Sequence, residues 1–204
     1  EMIDRVDKVA DTIVKGEHPQ GISGKNVLAL AAIKRNIQNI IAHEQGEIQS
    51  GNIIEIVALE QKLSMTQTVT GISGPVTYKG TVDRVDRYNG KTRVLDYKTG
   101  QLDDLAIMDW ADLALDPELG QARQLIMYAM LWNTHHPDNP ATRAGIIALK
   151  QYKKGVLYVG EKSSPRGKIS SALDTTQMQK AAAAFEQLTQ ALFDPNSPFS
   201  EPDA

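Results

Sequence analysis

The feature that most constrains the fold is a pair of strand-like segments joined by Asn89-Gly90. An Asn-Gly pair favours the type I′ turn of a β-hairpin, because both central residues of that turn need a positive φ. If the turn has two residues, Tyr88 faces Lys91, and counting back along the ladder places Asp83 opposite Asp96. Side chains in that position have Cβ atoms roughly 4.5–5.5 Å apart. The sequence therefore predicts a hairpin in which two carboxylates meet across neighbouring strands.

The alternation of side chains along a strand assigns the neighbours of these carboxylates to faces. Lys98 shares the face of Asp96, because successive side chains point to opposite sides of a sheet. Val94 belongs to that same face, whereas Leu95 belongs to the other. Both faces are therefore partly apolar, which is typical of strands in a sheet covered on both sides.

The predicted carboxylate pair needs a compensating positive charge. Like charges directly opposite each other destabilise a sheet, and one carboxyl would keep its proton unless a cation lay between them. Mg²⁺ prefers oxygen ligands and is often held by one or two carboxylates, while the ammonium of Lys98 can stabilise charge on phosphoryl oxygens or orient an attacking water. The alternative is that both aspartates are solvated strand residues and that arginines pair with nearby acids (Arg84, Arg87 and Arg93). Register, turn and Asp-x-Lys spacing together favour the metal site.

Three motifs follow one another along the chain: Gly80-Thr-Val-Asp83, Asp96-Tyr-Lys-Thr-Gly100 and Gln124-Leu-Ile-Met-Tyr128. Their order and spacing resemble the core of PD-(D/E)XK nucleases of the RecB-type exonuclease branch, the branch of AddB-like helicase–nucleases. The resemblance covers roughly residues 50–160, and the Asp-Tyr-Lys-Thr-Gly run is its most specific part.

The resemblance implies a role for each motif residue. Asp83 and Asp96 would be metal ligands together with the backbone carbonyl of Tyr97, and Lys98 would be the catalytic lysine. The implied cofactor is Mg²⁺, with Mn²⁺ as a possible substitute. Two further residues would organise the site and its DNA (Gln124 and Tyr128).

The chain departs from this branch in two respects. Members usually carry a metal-ligating histidine in an upstream Gly-x-x-x-His helix, and no such helix is evident here. Because the chain opens on a helical pattern already under way, we expect that ligand to precede Glu1, and we interpret His18 and His43 as surface residues. The cysteine count of zero excludes the iron–sulfur cluster of some relatives within this chain, because that cluster needs thiolate ligands.

The candidates for DNA contact are basic residues near the end of the predicted core. A second hairpin is expected around Lys153-Lys154-Gly155, and with Lys150 it offers cations to phosphates, although a solvated hairpin tip would look the same. The arginine that follows Ala122, Arg123, is a further candidate. The net charge of −3 counts modestly against autonomous DNA binding. The acidic segment 102–119 would repel phosphates, so we place it away from the DNA.

The pattern along the 204 residues predicts an α/β fold: a mixed central β-sheet with antiparallel hairpins flanked by helices, a restriction-endonuclease-like core. We expect a single domain over 1–193, excised from a larger protein, and a loose tail over 194–204. No apolar run has transmembrane length, and we expect a cytoplasmic protein. Helices are predicted at 1–15, 26–45, 117–134 and 175–193, and strands at 52–60, 63–69, 77–88, 92–98, 143–151 and 155–161.

Two functions remain open at this level. The leading hypothesis is a Mg²⁺-dependent DNA nuclease module, exonucleolytic, that acts in recombination or repair beside a helicase domain or subunit. The other is a nuclease-like fold without catalysis that binds DNA or serves as a scaffold. The intact Asp-x-Lys favours the first, because a chain without activity has no reason to keep a like-charged pair.

Overall fold

A computed structural model describes residues 2–100, 102 and 104–196 of the chain. The helices in this part are α1 Met2–Glu17, α2 Lys25–Gln49, α3 Asp112–Leu115, α4 Gly120–His135 and α5 Thr175–Phe193. The strands are β1 Ile54–Thr68, β2 Pro75–Tyr88, β3 Lys91–Lys98, β4 Ala106–Ile107, β5 Arg143–Ala148, β6 Val156–Tyr158, β7 Gly160–Lys162 and β8 Ile169–Ser170. Short 3-10 helices span Pro117–Leu119 and Leu149–Lys154; the second is called the basic turn below. The predicted tail reaches beyond residue 196, where residues 197–204 lie outside the described part.

The central sheet has the strand order β1-β2-β3-β5-β6. The hairpin neighbours pair antiparallel, whereas β3 and β5 pair parallel. Helix α4 lies between β3 and β5 in the chain and forms the crossover that a parallel pair requires. The predicted mixed α/β fold with flanking helices is confirmed. A smaller sheet of order β4-β7-β8 lies beside it.

The predicted hairpin is present in the predicted register. Tyr88 pairs with Lys91, and the ladder runs back to Arg84 opposite Leu95. Asn89 and Gly90 have φ values of 50° and 78°, as a type I′ turn requires. The Asn89 side chain also accepts a hydrogen bond from the Ile53 backbone at 2.8 Å, which ties the turn to the start of β1.

The two faces of the central sheet carry separate apolar layers. On one face Val85, Val94 and Ile146 are buried against α4 and α5, in the larger hydrophobic cluster. On the other face Leu95 and Ile147 pack with Ile40 of α2. Burial of these side chains is the main stabilising contribution, at roughly 25 cal/mol per Å² of apolar surface. The sheet is thus covered on both sides, as the strand pattern predicted.

Three element boundaries differ from the sequence-based expectation. Helix α2 continues through Gly46 to Gln49, and the glycine that follows its end is Gly51 with φ 93°, because a glycine stops a helix only where the backbone turns left-handed. Strand β1 is one strand with a bulge rather than two. The predicted second hairpin is replaced by the basic turn, although β5 and β6 still pair antiparallel.

The acidic segment 102–119 belongs to the core through its apolar residues and uses its acids locally. Ile107, Trp110 and Leu113 are buried in the larger cluster. The carboxylate of Asp109 accepts a hydrogen bond from the Ala111 backbone at 2.9 Å. Other acids of the segment act similarly: Asp116 accepts from the Glu118 backbone and Asp104 pairs with Lys162. Asp103 lies outside the described residues.

None of the helices in the described part of the chain combines the length and the hydropathy of a transmembrane span.

Candidate active site

Asp83 and Asp96 lie where strands β2 and β3 separate. The last paired residues of the β2–β3 ladder are Arg84 and Leu95. One residue further, the Asp83 carboxylate accepts a hydrogen bond from the Tyr97 backbone N–H at 2.8 Å. Asp96 continues to pair with β5 through Ile146, so β3 stays in the sheet while its other edge opens towards Asp83. The predicted register therefore brings the two carboxylates together at this opening.

The Asp96 carboxylate is in an environment that disfavours its charge. Its residue is 3% exposed, and this burial raises its pKa. The neighbouring Lys98 lowers that pKa, whereas the charge of Asp83 raises it again. A divalent cation between the two carboxylates would stabilise the charged form of Asp96, and so would offset both the cost of its burial and its repulsion with Asp83.

Lys98 provides the positive charge nearest to this pair. Its Nζ lies 2.9 Å from Asp96 Oδ2, and its side chain is 32% exposed against 4% for Asp96. The lysine therefore connects a buried carboxylate with the solvent, where a substrate phosphate would arrive. This is the arrangement that the Asp-x-Lys spacing predicted.

The arginines of the hairpin are engaged elsewhere. Arg84 contacts Glu44 at 2.6 Å and Asp86 at 2.7 Å, and Arg93 holds Asp86 at 2.7 Å. Arg87 pairs with an acid of β1, Glu55. The arginines do pair with nearby acids, as the alternative interpretation expected, but those acids are not Asp83 or Asp96. This part of the alternative agrees with the structure, whereas its other part does not, because Asp96 is 3% exposed and is therefore not a solvated strand residue.

Gln124 and Tyr128 lie on α4 and act together. The Gln124 side-chain amide donates to the Tyr128 hydroxyl at 2.8 Å. The Tyr128 ring lies against Gly80, where an added Cβ would be 2.7 Å from Tyr128 Cε1. This contact fixes α4 on β2 three residues before Asp83. Sequence reasoning found all three motifs but not this link, since only the crossover of α4 brings them into contact.

The donor set fits a metal held mainly by substrate and water. Asp83 and Asp96 supply carboxylate oxygens, and the Tyr97 carbonyl follows Asp96 directly. Within the described residues no group of three or more His, Cys, Asp or Glu side chains could hold a metal ion. Two carboxylates with open positions match the habits of Mg²⁺. His18 and His43 do not add a ligand to this site. His18 is exposed, and His43 lines a cavity beside α2 on the opposite face of the sheet.

The candidate DNA-contact residues are distributed over different parts of the molecule. Lys150 is exposed and comes two residues after Ala148, which pairs with Lys98. Lys153 and Lys154 line the cavity beside α2, on the face away from Asp96. Arg123 donates to the backbone carbonyls of two residues before α4 (Leu113 at 2.7 Å and Asp116 at 2.6 Å), so its guanidinium anchors the acidic segment. Ala122 beside it is buried.

The mixed sheet with two adjacent carboxylates and a lysine at its opening defines an α/β fold of the nuclease type. The model of the PD-(D/E)XK nuclease superfamily matches residues 2–203, and the chain belongs to this superfamily. A search among the curated proteins finds no match.

Proposed function

We propose that this chain is a metal-dependent DNA nuclease domain of the RecB-type exonuclease branch. The observation that carries the proposal is the isolation of the Asp83–Asp96 pair from every cation of the hairpin except Lys98. A fold that needed these carboxylates only for stability would pair them as it pairs Asp86. Membership of the nuclease superfamily supports the same conclusion.

Each residue of the site has a defined task in this proposal. Asp83, Asp96 and the Tyr97 carbonyl would hold Mg²⁺ or Mn²⁺, which would supply Lewis-acid stabilisation of the phosphate and activation of water. The Lys98 ammonium stabilises the negative charge that develops on the phosphoryl oxygens. Gln124 and Tyr128 keep α4 against β2, and so maintain the width of the opening between β2 and β3.

The branch and its biological setting rest on the motifs. Gly80-Thr-Val-Asp83, Asp96-Tyr-Lys-Thr-Gly100 and Gln124-Leu-Ile-Met-Tyr128 resemble the motifs of RecB-type domains, which leads us to propose exonuclease action in recombination or repair, in the cytoplasm. A helicase domain or subunit would deliver the DNA, which accommodates the net charge of −3. Residues 1–193 would form the nuclease domain of that larger protein. Lys150, at the same edge of the sheet as Lys98, is the proposed phosphate contact.

A second candidate function is DNA binding or scaffolding without catalysis. The observation in its favour is that no third His, Cys, Asp or Glu side chain joins Asp83 and Asp96 among the described residues. In that case the two carboxylates would hold a metal too weakly for turnover.

Degradation of linear DNA by the full-length parent protein with Mg²⁺, with Mn²⁺ and with EDTA tests the proposal, because the excised chain would be inactive if its histidine ligand precedes Glu1. Wild type is compared with Asp96→Ala and Lys98→Ala, and with Lys91→Ala as matched control, because Lys91 is an exposed lysine at the far end of the same strand. We expect metal-dependent cleavage that only the first two variants lose. Equal cleavage by wild type and Asp96→Ala would show that the site is wrong, and DNA binding without cleavage in either metal would favour the second candidate.

A further inference from the structure

The face of the sheet opposite Asp96 contains a cavity of about 330 Å³ between α2, the basic turn and the sheet. This volume is within the range of small-molecule sites, which hold roughly 300–1,000 Å³. The floor is apolar where Ile40, Ile147 and Val156 meet. The cavity is separated from Asp83 and Asp96 by the sheet itself.

Arg93 borders this cavity and is paired with Asp86, but three other cations of the lining have no acidic partner within the described residues. Arg143, Lys153 and Lys154 line it, and none of them forms an ion pair within the described ranges. The two acids on the α2 wall are already engaged: Glu44 holds Arg84 at 2.6 Å, and Glu47 accepts from the Tyr88 hydroxyl at 2.5 Å. The cavity therefore presents unpaired positive charge on one wall and hydrogen-bonded carboxylates on the other.

Aromatic rings complete the lining. Tyr88, Tyr152 and Tyr158 all border the cavity. The Arg143 guanidinium lies 5.2 Å from the centroid of the Tyr158 ring, a cation–π distance at which the two side chains attract each other. Tyrosine rings provide flat apolar surface on which a planar heterocycle can stack.

We propose that this cavity binds a single nucleotide, either free or at the end of a DNA strand. Lys153, Lys154 and Arg143 would receive the phosphate, since three cations without partners suit a dianion. The base would lie on the tyrosine rings with its amino edge towards the carboxylates of Glu44 and Glu47, which accept hydrogen bonds and repel phosphate. The proposal does not rest on nuclease activity, because the cavity shares no residue with the carboxylate site.

Calorimetric titration of the chain in EDTA tests this assignment with four probes: dAMP, deoxyadenosine, inorganic phosphate and a 5′-phosphorylated trideoxyadenylate. Wild type should bind dAMP about tenfold or more tightly than deoxyadenosine or phosphate alone, because both halves of the ligand contribute. The variant with Lys153→Ala and Lys154→Ala, and separately Arg143→Gln, should weaken dAMP binding by about tenfold or more. Lys62→Ala, on β1 away from the cavity, is the matched control.

The trinucleotide identifies the source of the ligand. Binding as tight as that of dAMP indicates a strand end, and binding of dAMP alone indicates the free nucleotide. Asp96→Ala should leave dAMP binding unchanged even if it abolishes cleavage, which separates this proposal from the nuclease. Absence of dAMP binding to wild type, or unchanged binding in both cation variants with unfolding temperatures equal to that of wild type, would overturn the proposal.

Discussion

Asp83 and Asp86 lie on opposite faces of strand β2, and their negative charges are compensated to different extents. On the α2 face Asp86 is fully buried and lies between Arg84 and Arg93 at 2.7 Å from each. On the α4 face the charge of Asp83 acts on Asp96, and the one lysine nearby, Lys98, pairs with Asp96. The first arrangement is balanced, because Arg84 also pairs with Glu44, whereas the second carries more negative than positive charge. Burial alone does not make an aspartate functional; what distinguishes the site is that its charge is left uncompensated beside an opening.

The α2-face network should be the more important for stability. Asp86→Asn removes the only acid between two buried guanidinium groups, and breaking a buried pair in this way costs about 3–5 kcal/mol. Urea unfolding followed by circular dichroism measures this change. Asp104→Asn is the control, because its exposed pair with Lys162 contributes less than about 1 kcal/mol. Equal losses in the two variants would contradict the assignment of Asp86 as the structural acid.

The α4-face pair should matter for activity instead. Asp96→Asn keeps the shape of the side chain but removes a metal ligand and the repulsion with Asp83. We expect the cleavage rate in Mg²⁺ to fall by about 100-fold or more, while the free energy of unfolding stays level or rises. Single-turnover cleavage and urea unfolding on the same preparation measure both quantities. A stability loss as large as that of Asp86→Asn would mean that the two faces do not differ in kind.

Gly80 connects the two properties through Tyr128. Gly80→Ala places a Cβ against the Tyr128 ring, which must shift, and overpacking of this kind costs about 1–3 kcal/mol. Since α4 then moves on β2 near Asp83, cleavage should fall together with stability. Cleavage assays and thermal unfolding measure the two effects. Gly80→Ala combined with Tyr128→Leu, which shortens the opposing side chain, should recover stability. If the double variant recovers neither stability nor cleavage, the contact of residue 80 with the Tyr128 ring is not the cause of the losses.

The smallest effect on the free energy of unfolding is expected at Glu161, an acid that is neither buried nor close to another negative charge. Glu161 accepts from the Trp110 indole at 3.1 Å, and this bond, followed by those from Lys180 and Gln177, lowers its pKa from 4.5. A lowered folded-state pKa stabilises the fold above the unfolded value, and this contribution is lost as pH falls through the folded pKa. Glu161→Gln should therefore be less stable than wild type at pH 7, by about 1 kcal/mol or less, and the difference should vanish in acid.

Thermal unfolding between pH 7 and pH 3 measures that difference. The control is Glu118→Gln. Glu118 is also a surface glutamate, but its side chain makes no hydrogen bond in the described part of the chain. If the stability difference between Glu161→Gln and wild type increases as the pH falls, the expected direction of the pH dependence is wrong.

Much of the fold followed from local pattern. The final helix, predicted at 175–193, begins after Asp174, whose side chain accepts a hydrogen bond from the Thr176 backbone as an N-cap; such a cap depends only on residues beside the helix start. Local pattern is a weaker guide to burial: Val27, Ile33 and Ile40 share the apolar stripe of α2, yet Val27 and Ile33 are 48% and 44% exposed, whereas Ile40 is buried. Helical spacing indicates which side chains share a stripe, but not how far the neighbouring elements extend to cover it.

The sequence by itself determined the hairpin, its register and hence the meeting of Asp83, Asp96 and Lys98, because an Asn-Gly turn and a two-residue repeat act over short distances along the chain. Only the tertiary structure decided which charges are compensated. Arg84 meets Glu44, Tyr128 meets Gly80, and Lys153 and Lys154 face a cavity on the opposite side from the carboxylates. These partners are far apart in sequence, and the packing of α2 and α4 on opposite faces of the sheet brings them together.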